Sequence, residues 1–456
     1  MPHANKQLDR SLGTAGVLFL TLSITTPASS LFVIVPGSLQ IAGTGALLAL
    51  AIAGVVCLAT ALIYAELSSA FPVAGGEYVM VGQTLGPAAG FMMLGVNACN
   101  NLLFPPVAAL GIASVASTVL PGLPPVPVAV AVLLASMLVG ILNIRFNALV
   151  TGAFLAAEVA AVLVILALGM AAPVRDVLPL VLHPVAPASG GLIPASAANI
   201  GLATSVAIFA LNGYGAAVYF GEEMLGAPQR IARAILLALV GALLLEAVPI
   251  VAALASAPDL DAFLSAEDPF GTFVRLRGGA SLNLWVAIGI VVAIVNAVIA
   301  CILANGRFFY ATARDRSWGR PLDAWLAAIH PRFGSPARAT LASGAIGIAA
   351  CFLPLRLLLL LSGTGLIAIY AGLALATIAG RRTHRTRHAP YRMPLHPIPA
   401  TATLLVLGTV AWLNALDPEE GRPALFATLA QLLLSALYYA LVLRRRGWTA
   451  QVQPAP

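Results

Sequence analysis

The chain alternates between long apolar runs and short polar segments over nearly its whole length. A transmembrane helix needs about 20 consecutive, mainly apolar residues to cross the hydrocarbon core of a bilayer. Twelve runs approach or exceed that length, and we predict that each forms a membrane-spanning helix. The predicted spans lie near residues 13–36, 43–69, 88–118, 126–144, 148–170, 197–221, 233–254, 282–312, 338–355, 357–379, 398–416 and 423–443.

The basic residues predict which loops face the cytoplasm. With the N-terminus placed inside, all but five of the 24 Lys and Arg residues fall on the cytoplasmic side. Cytoplasmic loops carry such an excess of positive charge. Both termini are therefore predicted to be cytoplasmic. The abundance of Ala and Arg with a single Lys indicates a GC-rich bacterial genome. The chain is thus predicted to be a multi-pass protein of a bacterial inner membrane.

Composition excludes several classes of protein. Hydrophobic residues make up 60% of the chain and charged residues 9%, whereas soluble domains carry roughly 25% charged residues. The net charge of +7 is spread over separate short loops, which favours contact with anionic lipid headgroups over nucleic-acid binding. All six histidines lie in predicted loops or tails and all four cysteines in predicted spans. We therefore expect no metal site, no disulfide, no cofactor and no enzymatic centre.

Two predicted spans contain residues that interrupt helices. Span one contains Pro27, which lacks a backbone donor and clashes with the preceding turn. Span six contains Asn212, Gly213 and Gly215, and glycine tolerates non-helical dihedral angles. Spans one and six are equivalent in a five-plus-five inverted repeat, an arrangement in which broken helices meet near the middle of the membrane. We predict that both helices are broken.

Several segments resemble signatures of the amino acid–polyamine–organocation (APC) superfamily of permeases. The match covers nearly the whole chain in the correct order. The similar segments are Tyr64-Ala65-Glu66-Leu67-Ser68-Ser69-Ala70-Phe71-Pro72-Val73-Ala74-Gly75-Gly76-Glu77-Tyr78, Gly221-Glu222-Glu223, Pro228-Gln229-Arg230-Ile231-Ala232-Arg233-Ala234-Ile235, Asn305-Gly306-Arg307-Phe308-Phe309-Tyr310-Ala311-Thr312-Ala313-Arg314-Asp315, Ser335-Pro336 and Ala389-Pro390-Tyr391-Arg392-Met393-Pro394.

The resemblance implies an all-α integral membrane protein with the LeuT-type fold, in which two inverted repeats of five helices are followed by two peripheral helices. It also implies alternating-access transport of amino acids or related amines. The segments expected on this basis are a cytoplasmic tail (1–12), the first repeat (13–170), an external loop (171–196), the second repeat (197–379), a basic cytoplasmic loop (380–397), the two peripheral helices (398–443) and a cytoplasmic tail (444–456).

Substrate-binding residues are expected at the two breaks. The half-helix after the first break offers unpaired N–H groups to a substrate carboxylate. The family commonly carries Gly-Ser-Gly there, whereas this chain has the small residues Ala28, Ser29 and Ser30 without the glycines. On span six, Phe209 matches the aromatic residue that closes over substrate, and Asn212 and Gly213 form the break.

Amides on two other spans are further candidates. Asn97 and Asn101 share one face of span three, with Asn100 between them. On span eight, Asn296 and Cys301 match the substrate-facing region of the family. Each Asn can equally form a helix–helix hydrogen bond, and Cys301 can equally be a small apolar core residue.

Glu158 and Glu246 are the acidic residues predicted to lie deep within spans. Glu66, Glu222, Glu223 and Asp315 lie at predicted cytoplasmic ends, where we expect ion pairs with nearby arginines such as Arg230 or Arg307. A carboxyl group in a low-dielectric environment can bind and release a proton near neutral pH. Glu158 lies close to the position at which some proton-coupled relatives carry a lysine, so we expect it to be the coupling site. Glu246 is the weaker candidate, because its span is usually peripheral in this fold. Residues 285–303 contain no Ser or Thr, which argues against the family's sodium site.

The leading interpretation is a proton-coupled symporter for an amino acid or related small amine. The alternatives are an exchanger, or a permease for an amine such as ethanolamine or a polyamine. The sequence places no carboxylate near either break, which disfavours cationic amines. A membrane enzyme would need a nucleophile–base pair or a metal cluster at one depth. A nutrient sensor of this type would need a long cytosolic domain.

Overall fold

The structure is a computed structural model that describes residues 8, 10–117, 122–142, 144–188, 190–419 and 421–452. Most of the described backbone is helical, as expected in lipid, where each backbone N–H and C=O must be satisfied within its own segment. The helices of the first part are α1 (Thr14–Thr25), α2 (Pro27–Ser29), α3 (Val35–Ala42), α4 (Gly45–Ala70), α5 (Glu77–Leu85), α6 (Pro87–Ser117), α7 (Pro125–Gly140) and α8 (Ile144–Ala171).

A short hairpin and ten further helices form the second part. The antiparallel strands β1 (Val185–Ala188) and β2 (Gly191–Pro194) pair Val185 with Pro194. This hairpin lies within the predicted external loop and was not expected from the sequence. The helices are α9 (Leu178–Leu182), α10 (Ala197–Ala210), α11 (Ala227–Ser256), α12 (Leu260–Ser265), α13 (Pro269–Arg314), α14 (Arg320–Leu326), α15 (Ala337–Ala350), α16 (Leu355–Arg382), α17 (Ile398–Leu416) and α18 (Gly421–Tyr438).

Within the described residues, ten helices are long and apolar enough to cross a membrane. Two shorter apolar helices, α7 and α15, lie where the sequence predicts spans four and nine. Large apolar side chains such as Phe426, Leu433 and Leu434 are exposed on α18, and such a surface is suited to contact with lipid. The protein is thus an all-α membrane protein with many apolar helices.

One helix is longer than the sequence predicts. The segment before span eight reads as an external loop, but α12 and the start of α13 occupy part of it. Asp268 caps α13, since its carboxylate accepts a hydrogen bond from the Gly271 N–H at 2.9 Å. Gly279 then adopts a non-helical conformation and kinks the helix. Polar residues such as Asp268, which suggest a loop in the sequence, therefore cap helices in the structure.

The broken first helix is central to the packing. Its segments contact α8, α11 and α13, and α13 in turn packs against α6 and α8. Ser23 on α1 accepts a hydrogen bond at 2.9 Å from the amide of Asn296 on α13, and that amide also lies 3.2 Å from the carbonyl of Thr151 on α8. This contact fixes three core helices relative to one another.

Candidate functional site

The first helix is interrupted at Thr26. This residue adopts the left-handed conformation (φ 44°, ψ 69°) between α1 and α2, which is uncommon for a residue other than glycine. Pro27 starts α2 and supplies no backbone donor. A π-helical segment, Ser30–Ile34, then leads into α3. The break therefore lies at the position that the proline predicts.

The second break follows α10. The α-helix ends at Ala210, and the chain continues as a 3-10 helix over Tyr214–Phe220. Gly213, between them, has φ +124°, and a Cβ atom there would lie only 2.5 Å from the Thr25 Cα atom. Only glycine fits a position with both that dihedral angle and that close approach. The two breaks thus touch each other.

One side chain connects the two breaks. The Ser30 hydroxyl donates a hydrogen bond of 2.9 Å to the carbonyl of Ala210, the last residue of α10. A C-terminal carbonyl of a helix has no partner within its own helix. The predicted candidate Ser30 therefore satisfies the backbone of the other broken helix.

A cavity of about 60 Å³ lies beside the breaks, enough for a few water molecules. Asn97, Asn101, Asn212 and Gly213 line it, as the sequence predicts for a binding site, and so does Cys301. Other side chains with polar groups at this cavity are Tyr64, Glu77, Asn100, Tyr219 and Asn305. The site is thus rich in neutral amides and holds one carboxyl group.

Five other candidates lie outside the lining of this cavity. Phe209 packs edge-on against the cavity residue Phe104, with ring centroids 5.7 Å apart, so it lies behind the residues that line the cavity. Asn296 makes the interhelical contact described above. The remaining three are Ala28, Ser29 and Ser30, which are buried at the first break.

Glu77 is a site residue that the sequence analysis missed. Its carboxylate accepts hydrogen bonds from the Tyr64 hydroxyl at 2.8 Å, the Asn97 amide at 2.9 Å and the Tyr219 hydroxyl at 2.9 Å. The expectation that no carboxylate lies near the breaks is therefore wrong, since Glu77 and Gly213 line one cavity. The inference that the site disfavours cationic amines depended on that expectation and no longer holds.

The signal for Glu77 was the pair of glycines before it. Gly76 has φ +60°, and a Cβ atom there would lie 2.6 Å from the side chain of Val218. This turn brings the start of α5 against the 3-10 segment and aims Glu77 at the cavity. The motif alone suggested only a connection after span two.

Glu158 reaches the first break from α8. Its Oε1 atom accepts a hydrogen bond of 3.0 Å from the Ala28 N–H, and its Oε2 atom has no hydrogen-bond partner among the described residues. The side chain is fully buried. An internal carboxyl group therefore occupies the amide that the sequence analysis assigned to a substrate carboxylate.

Acidic residues at the N-terminal face, the end of the bundle that contains Leu12, Glu223 and Arg314, behave differently. Glu223 accepts two hydrogen bonds from Arg307, at 2.7 and 3.0 Å, and both side chains are buried. Glu222 forms a similar pair with Arg314 at 2.8 Å. The predicted pairing of these glutamates with nearby arginines is confirmed, whereas Arg230 is exposed.

Asp315 at this face is less well paired. Its Oδ2 atom accepts from the Tyr78 hydroxyl at 2.9 Å and from the Gln451 N–H at 3.1 Å. The Arg314 guanidinium is 3.8 Å from its Oδ1 atom. Burial raises the pKa of the Asp315 carboxyl to about 6, although Arg314 acts in the opposite direction.

Comparisons with known proteins agree with this architecture. The family model described as amino acid permease matches residues 12–434. Uncharacterized transporters of Mycobacterium tuberculosis and Mycobacterium bovis are 30% identical over 434 residues, which cover 89% of this chain and 91% of theirs. A methylthioribose transporter of Bacillus subtilis is 24% identical over 420 residues, 86% of each chain.

Fold, site and relatives indicate a multi-pass membrane transporter and not an enzyme. Many apolar helices surround two broken ones, and a polar cavity lies where the breaks meet. The match to the family model spans nearly the whole length of the protein. The chain belongs to the amino acid permease family of the APC superfamily.

Proposed function

We propose that this protein is a secondary active permease that carries an amino acid or a related small amine by proton-coupled alternating access. The observation that supports this most strongly is the cavity between the two helix breaks, which contains Glu77 and five asparagines. Binding sites at discontinuous helices are typical of transporters built from inverted repeats.

The architecture belongs to the same proposal. We infer twelve spans in the LeuT-type arrangement, with repeats over 13–170 and 197–379 and peripheral helices over 398–443. The breaks support it, because they fall in the first helix of each proposed repeat. The positive-inside pattern supports cytoplasmic termini in a bacterial inner membrane.

Glu77 is proposed to bind the substrate's amino group. A carboxylate accepts hydrogen bonds from an ammonium group more strongly than neutral acceptors do. In this structure its carboxylate already accepts hydrogen bonds from two tyrosines and Asn97. A substrate ammonium would replace one of these donors. Asn101 and Asn212 would bind the remaining polar atoms, and Phe209 would pack behind the closed site.

Glu158 is proposed to link substrate binding to protons. In this structure its carboxyl group accepts a hydrogen bond from the Ala28 N–H. A substrate carboxylate bound at Ala28, Ser29 and Ser30 would compete with Glu158 for that donor. Protonation of Glu158 would weaken its hold on the amide, so a proton and a substrate would bind together.

A second candidate substrate class follows from the asparagine-rich lining. Amides donate and accept hydrogen bonds and therefore suit hydroxyl groups as well as amines. The Bacillus subtilis relative is named for methylthioribose, a hydroxyl-bearing solute. Amines without a carboxylate, such as ethanolamine or polyamines, also fit a site that contains Glu77, and exchange is the alternative mode of transport.

The test is a thermal-stability screen of the purified protein against amino acids, simple amines and methylthioribose at acidic and neutral pH. A ligand that binds only the folded protein raises its stability by mass action. Stabilisation by one amino-acid class, stronger at acidic pH, would support the proposal. Stabilisation only by amines without a carboxylate, or only by methylthioribose, would replace it with the corresponding alternative.

A further inference from the structure

Glu246 on α11 is a second buried carboxyl group at the first break. Its side chain is fully buried, and neither carboxyl oxygen has a hydrogen-bond partner among the described residues. Its helix α11 packs against α2, against the π-helical segment that begins at Ser30, and against α8, which carries Glu158, and the charge of Glu158 acts on its carboxyl group. The Ser30 hydroxyl already donates to the carbonyl of Ala210. From the sequence alone Glu246 is the weaker candidate, because its span is expected to be peripheral.

The groups around the two carboxyls are neutral. The first broken helix contributes the Ala28 N–H and the Thr26 and Ser30 hydroxyls. On the far side, α4 contributes the Cys57 thiol, which is near Glu246 and next to Tyr214. No ion pair formed by the described residues involves Glu158 or Glu246.

This environment supports at most one negative charge. An isolated ionised carboxylate in an apolar interior is strongly unfavourable, and a carboxyl group without a cation keeps its proton instead. The Ala28 N–H stabilises charge on Glu158 but makes no contact with Glu246. Two interacting carboxyls that cannot both ionise hold one proton between them and titrate as a pair.

We propose that Glu246 and Glu158 together form one proton-binding site at the break of the first helix. In this structure Glu158 is the partner that accepts the Ala28 amide, and Glu246 holds the proton. If a substrate carboxylate takes the Ala28 amide, the charge on Glu158 loses its donor and the pair takes up a second proton. The last step rests on the proposed function, whereas the existence of the pair does not.

The proton is the ligand, so the site can be tested without a substrate. Full-length protein reconstituted in liposomes would be studied by difference infrared spectroscopy between acidic and alkaline pH, in H₂O and D₂O. A protonated carboxylic acid has a carbonyl band that shifts in D₂O. We expect a titrating band in the wild type whose midpoint moves to lower pH in both Glu246→Gln and Glu158→Gln, because the carboxyl group that remains no longer has a negatively charged neighbour that favours its protonated form.

Controls separate the pair from general effects. Glu267→Gln changes an exposed carboxyl group and should leave the band unchanged. If Glu246→Gln does not fold, Glu246→Asp keeps the carboxyl group and should shift the titration midpoint. A band and midpoint identical to wild type in every folded Glu246 variant would overturn the pair. A titrating pair in a protein that shows no proton-driven accumulation would instead overturn the proposed coupling.

Discussion

Buried acidic residues have opposite surroundings in two regions of this protein. At the N-terminal face, Glu222 and Glu223 each contact an arginine within 3.0 Å. In the interior, Glu77, Glu158 and Glu246 form no ion pair with any of the described cations, and only hydroxyl, amide or backbone N–H groups donate to them. Both regions are buried, so burial alone does not explain the difference.

The difference separates structural carboxylates from functional ones. A buried carboxylate paired with arginine holds two segments of the chain together, and removing one partner is costly. An ionisable group without a counter-ion inside a membrane is instead a candidate for transport, because it can gain and lose a proton. The following experiments test that division, beginning with the break beside the interior carboxyls.

Gly213→Val should have the largest effect. Its Cβ atom would meet the first broken helix at 2.5 Å, at a residue with φ +124°. Clash and backbone strain together exceed about 3 kcal/mol, so we expect uptake to fall by at least about 100-fold. The fall is measured as uptake of the ligand found in the stability screen, and membrane insertion is checked by immunoblot. Gly408→Val, where an added Cβ atom meets nothing within 4 Å, should transport normally. Normal uptake by the Gly213 variant would show that the break is not needed.

Glu158→Gln should abolish accumulation but not exchange. Glutamine can still accept the Ala28 N–H, so the local structure survives, but it cannot bind and release a proton. We expect proton-driven uptake in liposomes to fall to simple equilibration, with counterflow close to wild type. Glu419→Gln, which changes an exposed residue, is the matched control. Retained concentrative uptake would contradict the coupling role.

Arg307→Met should be the most destabilising change at the N-terminal face. It leaves the carboxylate of Glu223 buried without a partner, at a cost of about 3–5 kcal/mol. Denaturation of the purified protein measures this cost. The double variant Arg307→Met, Glu223→Gln should recover most of the stability, and Arg230→Met at an exposed site should lose little. No loss in the single variant would contradict a structural role for the pair.

Glu77→Gln should weaken substrate binding without a similar loss of stability. Replacing a charged acceptor with a neutral one removes about 1.5–3 kcal/mol, so we expect about 10- to 100-fold weaker binding of an ammonium-bearing ligand. Isothermal titration with that ligand measures the change. Thr84→Ala lies on the same helix, where its hydroxyl binds the Met80 carbonyl, and should bind normally. Equal affinity in both variants would make Glu77 a structural residue.

Asp315→Asn should have the smallest effect, which depends on pH. Since the folded state raises the pKa of Asp315 to about 6 from 3.8, it retains a proton that the unfolded chain releases. This contribution to stability is complete below pH 4 and is lost as the pH rises to about 6, by about 1–3 kcal/mol. The Asn variant should lack this part of the pH profile. An identical profile in both proteins would mean that Asp315 titrates as in the unfolded chain.

Local sequence signals predicted the elements of this fold well. The helix α17 has the bounds predicted for its span, 398–416. Pro27 and Gly213 marked the positions where the two helices are interrupted, because their effect on the backbone is local. The pairing of Glu223 with an arginine followed from its position at a predicted cytoplasmic end where arginines lie nearby, and Arg307 is that partner. These predictions needed no knowledge of how helices pack.

The site was predicted only in part. Asn97, Asn101, Asn212 and Gly213 line the cavity, whereas Asn296 ties helices together and Ser30 binds Ala210. An amide in a membrane helix must find a partner, but its spacing does not say whether that partner is a neighbouring helix or a substrate. The helix over 260–265 was likewise not predicted, because residues such as Asp259 can either cap a helix or belong to a loop.

By itself the sequence determined that this is a membrane protein of apolar helices, the family to which it belongs, and the two points at which helices break. Hydrophobic length and backbone chemistry are properties of short segments, so they can be read along the chain. Only the tertiary structure decided that Glu77 faces the cavity and that Glu158 and Glu246 lie at one break. Glu77 belongs to α5, Glu158 to α8 and Glu246 to α11. Whether a buried carboxyl group is paired depends on which side chains distant segments place beside it.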